Sequence, residues 1–171
     1  KNTIVIVLAD HGDGMGSHRM VTKQVSFYEE MTNVPFIIAG PGIHPRQKPV
    51  EDLLTQPTID LLPTLCELAG IPVPSSKPGI SLAPFLKGEK QKRQHPYAAS
   101  EWHSEYEVTV SPGRMIRSPR YKYTHYLEGN GEELYDMLKD KGERRNLAHD
   151  PKYSKILAEH RALLDDYIRR T

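Results

Sequence analysis

The sequence predicts an α/β core followed by a smaller α+β subdomain. The prediction comes from the apolar run TIVIVLA at residues 3–9, from alternating strand and helix patterns in the first half, and from short strands before a final amphipathic helix. Continuous apolar runs of this length favour strands buried on both faces, which are typical of parallel sheets. With 171 residues and 37% hydrophobic content, the chain can bury a core of its own.

The first half combines two strands with helices. After the strand at 3–9, residues 22–31 form a short helix or an ordered loop, and residues 34–39 form a second buried strand closed by the turn GPG. We expect a turn at residues 60–62, a helix that begins at Pro63 and stops at Gly70, and a buried thiol at Cys66 within it. Ser81 caps a short helix that extends to Leu86.

The second half predicts an antiparallel sheet and a helix. The linker GEKQKRQ places a boundary near residue 90, which gives domains at 1–90 and 91–171. Strands are predicted at 97–102, 114–118 and 122–127, and a fourth strand or a turn at 133–138. The last helix is capped by Asp150, has Pro151 at its first position, and presents an apolar face formed by Tyr153, Ile156, Leu157, Leu164, Tyr167 and Ile168.

Composition argues against several classes of protein. Lys and Arg number 23 against 22 for Asp and Glu, so no overall field favours nucleic acid or an anionic membrane. One cysteine excludes an internal disulfide. No apolar run approaches the roughly 18 residues of a membrane span, and no leader is evident. Because a core strand begins almost at once, we expect a fragment of a longer protein.

Polar groups follow the first strand at the position where open α/β sheets bind ligands. Asp10 and His11 are able to hold a divalent metal, or to stabilise the turn through backbone groups, and both interpretations stay open. Glycines at 12, 14 and 16 let the backbone approach a ligand closely. Lys23 is either a surface charge or a cation for a tetrahedral oxyanion.

Two charged groups in the second half receive a structural interpretation. The basic residues of RMIRSPRYKY predict a solvated sheet face rather than a polyanion site: Arg114, Arg117, Arg120 and Lys122. Glu132, Glu133 and Asp136 are expected to be solubilising acids around a turn rather than a metal site.

The run TIVIVLADHGDGMGSHRMVTKQVSFYEEMTNVPFIIAGPGI resembles the formylglycine-dependent sulfatases of the alkaline phosphatase superfamily. The later segments IDLLPTLCELAGIPVP, SLAPFLKG, RMIRSPRYKY and EELYDMLKDKGERRNLAHDP are similar to those enzymes in the same order. The resemblance implies the C-terminal part of a sulfatase-like mixed sheet flanked by helices, then a small subdomain of antiparallel sheet and helix. It also implies that Asp10 and His11 are metal ligands and that Lys23 contacts the sulfate.

The family's nucleophile is a formylglycine made from Cys or Ser in a Cys/Ser-x-Pro-x-Arg motif, and no such motif occurs in this sequence. The resemblance therefore implies hydrolysis of aryl or carbohydrate sulfates by the longer protein and an inactive isolated chain. The implied cofactor is a divalent metal, with Ca²⁺ favoured over Mg²⁺ or Zn²⁺. The implied partners are a sulfated small molecule or carbohydrate and the remainder of the protein, without nucleic acid or membrane. Periplasmic, secreted and lysosomal locations all fit the family.

His18 and His103 are further candidates. His18 either lines the pocket and donates a proton to the leaving alcohol, or is an exposed loop residue. His103, in SEWHSEY, either reaches a sugar with Trp102 stacking beside it or is exposed next to a core tryptophan. Because His11 also suits Zn²⁺, a metal-dependent phosphodiesterase or phosphonate monoester hydrolase of the same superfamily is the alternative reaction. A non-catalytic binding or structural module is the alternative outside enzymes.

Overall fold

The computed structural model describes residues 2–21, 26–51, 53–76, 78–91, 94–103, 111–129 and 131–171. The chain divides into two compact units. The first contains Lys1–Asp10 and Val34–Pro96, and the second contains His11–Asn33 and Tyr97–Thr171. Residues 11–33 thus join the second unit, whereas the boundary at residue 90 stays a sequence-based prediction.

The described residues of the first unit form two strands and two helices. The strands are β1 (Val5–Leu8) and β2 (Phe36–Ala39), and the helices are α2 (Pro57–Ala69) and α3 (Ala83–Leu86). The second unit contains the short helix α1 (Glu29–Thr32), four strands and the long helix α4 (Ser154–Arg170). Its strands are β3 (Ala98–Trp102), β4 (Gly113–Arg117), β5 (Tyr121–Tyr126) and β6 (Glu132–Asp136). The predicted fold class, α/β elements followed by an antiparallel sheet and a C-terminal helix, is confirmed.

The pairing of β1 corrects a prediction. β1 pairs with β2 in an antiparallel ladder, with Val5 opposite Ala39 and Leu8 opposite Phe36, and not in a parallel sheet. The apolar run is also not buried on both faces, because Val5, Val7 and Ile37 are 56%, 50% and 57% exposed. The apolar composition of the run therefore predicts more burial than these side chains have in the described structure.

Helix α2 begins earlier than predicted. Pro57 occupies its first turn, where a missing N–H costs nothing, so the predicted turn at 60–62 is part of the helix and Pro63 lies inside it. The stop at Gly70 is confirmed, because this residue adopts the left-handed conformation with φ 69°. Cys66 is half-buried rather than buried.

Asp60 connects α2 to the segments around it. The carboxylate is fully buried and accepts hydrogen bonds from the backbone N–H of Gln56 at 2.8 Å and of Ile80 at 2.7 Å. His95 Nε2 donates to it at 2.7 Å. Three donors satisfy the buried charge, which explains why a carboxylate is tolerated there.

The sheet of the second unit has the strand order β3-β4-β5-β6, with every neighbouring pair antiparallel. Of the range 133–138, predicted as a strand or a turn, residues 133–136 belong to β6 and residues 137–138 to the turn that follows it. Asp150 caps the predicted last helix by accepting from Lys152 N–H at 3.1 Å, and the first turn at Pro151–Tyr153 is a 3-10 turn. Helix α4 packs on the sheet, and the buried core is formed by Tyr97, Ile116, Tyr123, Leu134, Leu147, Leu157 and Leu164. No helix among the described residues is long and apolar enough to cross a membrane.

Candidate active site

The segment His11–Asn33 carries most of the predicted chemistry, and Gly12 holds it in place. The backbone N–H of Gly12 donates to the Met31 carbonyl at 2.9 Å. A Cβ at this position would lie 1.8 Å from the carbonyl oxygen of Glu30, so only glycine allows this segment to approach the backbone of α1 so closely. The start of the segment is thereby fixed against α1.

The loop formed by residues 14–20 is strained. Met15, His18 and Arg19 have φ values of 46°, 49° and 62°, a region that costs non-glycine residues about 1–3 kcal/mol each. Three backbone hydrogen bonds hold the described loop closed: from Gly16 N–H to Met20 O and from Ser17 N–H to Gly14 O, both at 2.7 Å, and from Met20 N–H to Ser17 O at 2.8 Å. Strain of this kind is typical of functional loops, where the surrounding structure enforces it.

His18 lies on the ring of Tyr28. The ring centroids are 3.7 Å apart and the planes differ by 2°, so the two rings are stacked. His18 Nε2 is 3.8 Å from a carboxylate oxygen of Glu30. Burial raises the pKa of Tyr28, and the charge of Glu133 acts in the same direction, so this ring stays a neutral phenol beneath the imidazole at neutral pH.

The imidazole faces a cavity of about 380 Å³. Its lining contains both charges and small residues: Gly16, Ser17, His18, Glu30, Gly142 and Arg144. Arg144 has an exposed side chain and no acidic partner in the described part of the chain, unlike its neighbour Arg145, which pairs with Asp150 at 3.2 Å. Sequence reasoning did not find Arg144, because nothing in GERRN distinguishes the two arginines.

Of the two predicted metal ligands, Asp10 directly precedes the segment His11–Asn33 and His11 begins it. The division between the two units falls between Asp10 and His11. His11 Nδ1 donates to the carbonyl of Gly12 at 2.7 Å, which places the lone pair of the neutral imidazole on Nε2. Metal-bound histidines typically donate their other ring N–H to a carbonyl in this way. Within the described ranges, no group of three or more His, Cys, Asp or Glu side chains could hold a metal ion.

The remaining candidates are less defined. Lys23, predicted to contact the sulfate, falls in residues 22–25, outside the described residues. His103 directly follows β3 and is exposed, as is Trp102 at 36%, which is therefore not a core tryptophan. His103 does not line the cavity at His18. A second cavity, of about 390 Å³, lies in the first unit beside Arg46 and Phe85 and contains none of the predicted site residues.

The basic residues of β4 and β5 do not form a solvated sheet face. Lys122 is 1% exposed, and its Nζ lies 2.8 Å from Glu29 and 2.9 Å from Glu143. The three arginines are also paired: Arg114 with Glu101, Arg117 with Glu29, and Arg120 with Asp136. The alternation of charged and apolar residues gave no sign of the acids, because those come from distant parts of the chain.

The three acids of β6 also have specific partners, which corrects their interpretation as solubilising residues. Asp136 is 2% exposed, and its hydrogen bonds with Arg120 lower the pKa of its carboxyl. Glu132 pairs with Arg161 of α4, which lowers the pKa of this carboxyl to about 2. Glu133 accepts from Tyr126, but its burial raises the pKa of its carboxyl.

Known proteins similar to this chain are sulfatases and their relatives. The Delta 4,5-hexuronate-2-O-sulfatase of Bacteroides thetaiotaomicron is 77% identical over 171 residues, which is all of this chain and 36% of that protein. The structure of a 2-O GAG sulfatase matches 98% of this chain and 36% of its own, with 78% identity and a TM-score of 0.95. The phosphonate monoester hydrolase of Agrobacterium radiobacter matches 98% of this chain and 35% of its own, with 26% identity and a TM-score of 0.81.

The similarity has a defined extent. The chain spans about a third of the length of these relatives. The family of N-sulphoglucosamine sulphohydrolase C-terminal regions matches residues 16–170, which include the loop of His18, the small sheet and α4. The chain therefore belongs to this family, as a C-terminal sulfatase portion.

Proposed function

We propose that the full-length protein containing this chain hydrolyses the 2-O-sulfate ester of an unsaturated hexuronate. One observation carries the proposal, namely the 77% identity with a Delta 4,5-hexuronate-2-O-sulfatase across all 171 residues. The arrangement at His18 supports it, because an imidazole and a guanidinium with no acidic partner among the described residues line one polar cavity. A guanidinium is suited to bind an anionic sugar ester, and a positioned imidazole is the type of group that serves as a general acid for a leaving alcohol.

We propose that Asp10 and His11 are ligands of a divalent cation in that protein. The carboxylate of Asp10 suits Ca²⁺, whereas an imidazole is more usual on transition metals. The hydrogen bond from His11 Nδ1 to Gly12 supports ligation through Nε2. A bound divalent cation would offset negative charge on the sulfate oxygens. The other ligands and the formylglycine would come from the rest of the protein.

The remainder of the protein is the proposed partner of β1 and β2. Their exposed apolar side chains support this, because Val5, Val7 and Ile37 are each at least 50% exposed in this chain. Exposed apolar patches of this kind usually mark interfaces. Since the chain covers 36% of its 77% identical relative, ample sequence exists there to cover them. Because the formylglycine would also come from that remainder, the isolated chain should lack turnover.

Phosphonate ester hydrolysis is the second candidate reaction. The structural similarity to a phosphonate monoester hydrolase favours it, with a TM-score of 0.81, but the identity there is only 26%. Sulfate chemistry is preferred because the 77% identical relative acts on a sulfate ester.

A substrate comparison tests the proposal. The full-length protein is assayed on an unsaturated 2-O-sulfated uronate disaccharide, on an aryl sulfate and on a phenyl phosphonate monoester. We expect the highest kcat/KM for the disaccharide, by about 10²-fold or more, because remote binding energy of the sugar contributes to turnover. Preferential cleavage of the phosphonate would support the second candidate, and no turnover of any ester would support a non-catalytic module.

A further inference from the structure

A buried cluster in the second unit surrounds Tyr28, the residue on which His18 stacks. Lys122 Nζ donates to the carbonyl of Phe27 at 2.8 Å and lies 2.8 Å from a carboxylate oxygen of Glu29. Glu143 accepts from the backbone N–H of Glu29 at 2.6 Å. The residues on both sides of Tyr28 are therefore fixed by side chains from β5 and from the turn after β6.

The members of this cluster depend on one another. Lys122 and the side chain of Glu143 are each 1% exposed, and their charged atoms lie 2.9 Å apart. A buried charge is tolerated only when it is paired, so the loss of Lys122 would leave Glu143 without its cation and Glu29 with only the more distant Arg117, at 3.6 Å. Glu143 also has a φ of 49°, which indicates that its surroundings hold the backbone in a strained conformation to direct this side chain.

The ring of Tyr28 connects the buried cluster to His18 of the candidate site. One side of its ring stacks on His18 with a centroid separation of 3.7 Å, and Tyr135 of β6 lies 6.3 Å away at an interplanar angle of 56°. The backbone of His18 is itself in a left-handed conformation, which is unfavourable for a residue other than glycine. The ring of Tyr28 is thus a direct support of the imidazole.

We propose that Lys122 is a positioning residue of the sulfatase site, which fixes Tyr28 through Phe27, Glu29 and Glu143 and so holds His18 in the cavity. The inference rests on the proposed catalytic role of His18. It assigns to the small C-terminal sheet a function in the reaction, because the side chain of a β5 residue would determine where an imidazole 104 positions earlier in the sequence lies.

A double-mutant cycle in the full-length protein tests the proposal. Lys122→Met should lower kcat by about 10²-fold, the size of effect expected when a catalytic group is misplaced by about 1 Å. In a His18→Ala background, the same substitution should change kcat less than twofold, because the group it positions is gone. The exposed Lys139→Met is the matched control and should leave kcat unchanged. Equal losses from Lys122→Met in both backgrounds would contradict the proposal.

A second readout does not depend on activity. In the wild type, the ring current of Tyr28 should shift the His18 imidazole proton resonances upfield, and Lys122→Met should remove most of this shift. If Lys122→Met does not fold, Glu143→Gln serves as the second variant and should reduce both the ring-current shift of His18 and kcat. An unchanged His18 resonance in a folded variant would overturn the inference. A fully active His18→Ala protein would instead refute the catalytic role of His18, while the resonance still tests the positioning.

Discussion

Arg144 and Arg145 are adjacent residues with different surroundings. Arg144 lines the cavity at His18 and has no acidic partner among the described residues, whereas Arg145 pairs with Asp150. A charge-assisted hydrogen bond to an anionic substrate contributes about 1.5–3 kcal/mol. We therefore expect Arg144→Gln to raise the KM of the full-length enzyme about 10- to 100-fold, with Arg145→Gln as the matched control. Steady-state kinetics on the sulfated disaccharide check this, and equal effects of the two changes would refute it.

Glu132 makes the stability of the second unit dependent on pH. Its hydrogen bond with Arg161 lowers the pKa of the carboxyl to about 2. A carboxyl with a lowered pKa in the folded state contributes stability above its unfolded pKa, near 4.5, and that stability is lost as the pH falls toward 2.

The contribution of Glu132 to thermal stability should therefore decrease at acidic pH. Thermal melts from pH 6 to pH 2 should show Glu132→Gln destabilised at pH 6, with the difference from wild type closing as the pH falls. The exposed Glu128→Gln is the control and should follow the wild type. A difference between wild type and Glu132→Gln that is constant over this range would rule out the assigned ion pair.

At the scale of the element, helix α2 depends on a close contact with the segment that follows it. Gly79 has a φ of 110°, and a Cβ there would lie 2.1 Å from the carbonyl oxygen of Ile59. Gly70 also has a positive φ, 69°, but a Cβ there meets nothing within 4 Å. Alanine at Gly70 would therefore experience backbone strain alone, whereas alanine at Gly79 would experience the same kind of strain together with a steric clash.

Replacement of each glycine by alanine measures this difference. Gly70→Ala should lower the free energy of unfolding by about 1 kcal/mol, the cost of a left-handed alanine. Gly79→Ala should cost at least about 3 kcal/mol, because the backbone must move as well. Urea unfolding of the full-length protein provides the values. Equal losses at the two positions would show that the contact with Ile59 does not matter.

The sequence predicted most elements whose patterns are local. The strands of the small sheet, the stop at Gly70 and the cap at Asp150 each depend on a few neighbouring residues, and the structure contains all of them. The start of α2 was wrong because Pro57 and Pro63 are both acceptable first-turn residues, and only packing selects between them.

The residues of the site were harder to predict. The buried state of Lys122 depends on acids 93 residues earlier and 21 residues later, at Glu29 and Glu143, and no local pattern contains that information. Arg144 lines the cavity at His18 although the two residues are far apart in sequence, so no local pattern predicts this contact either. Asp10, His11 and Lys23 were selected by their position after the first strand and received their roles from the resemblance. These roles stay predictions, because they depend on groups from the rest of the protein.

At the scale of the whole molecule, the proposal that the rest of the protein covers β1 and β2 predicts different effects of one substitution in the isolated chain and in the full-length protein. Val7 is 50% exposed in this chain. If the rest of the protein covers it, Val7→Ser should lower the free energy of unfolding of the full-length protein by about 1–2 kcal/mol through lost apolar burial. The same change in the isolated chain should have an effect below about 0.5 kcal/mol. Similar losses in both forms would contradict the proposed interface.

The central claim is that the turn after β1 supplies a metal ligand of a sulfatase site. The most direct measurement is the kcat of sulfate release from the 2-O-sulfated disaccharide by the full-length protein and by its Asp10→Ala and Asp13→Ala variants. Asp13 is an exposed carboxylate of the same turn, and its one hydrogen bond among the described residues is a local one from the backbone N–H of Met15, so it controls for the loss of a nearby charge. We predict a loss of about 10²-fold or more for Asp10→Ala and less than threefold for Asp13→Ala. Full turnover by Asp10→Ala would contradict the account.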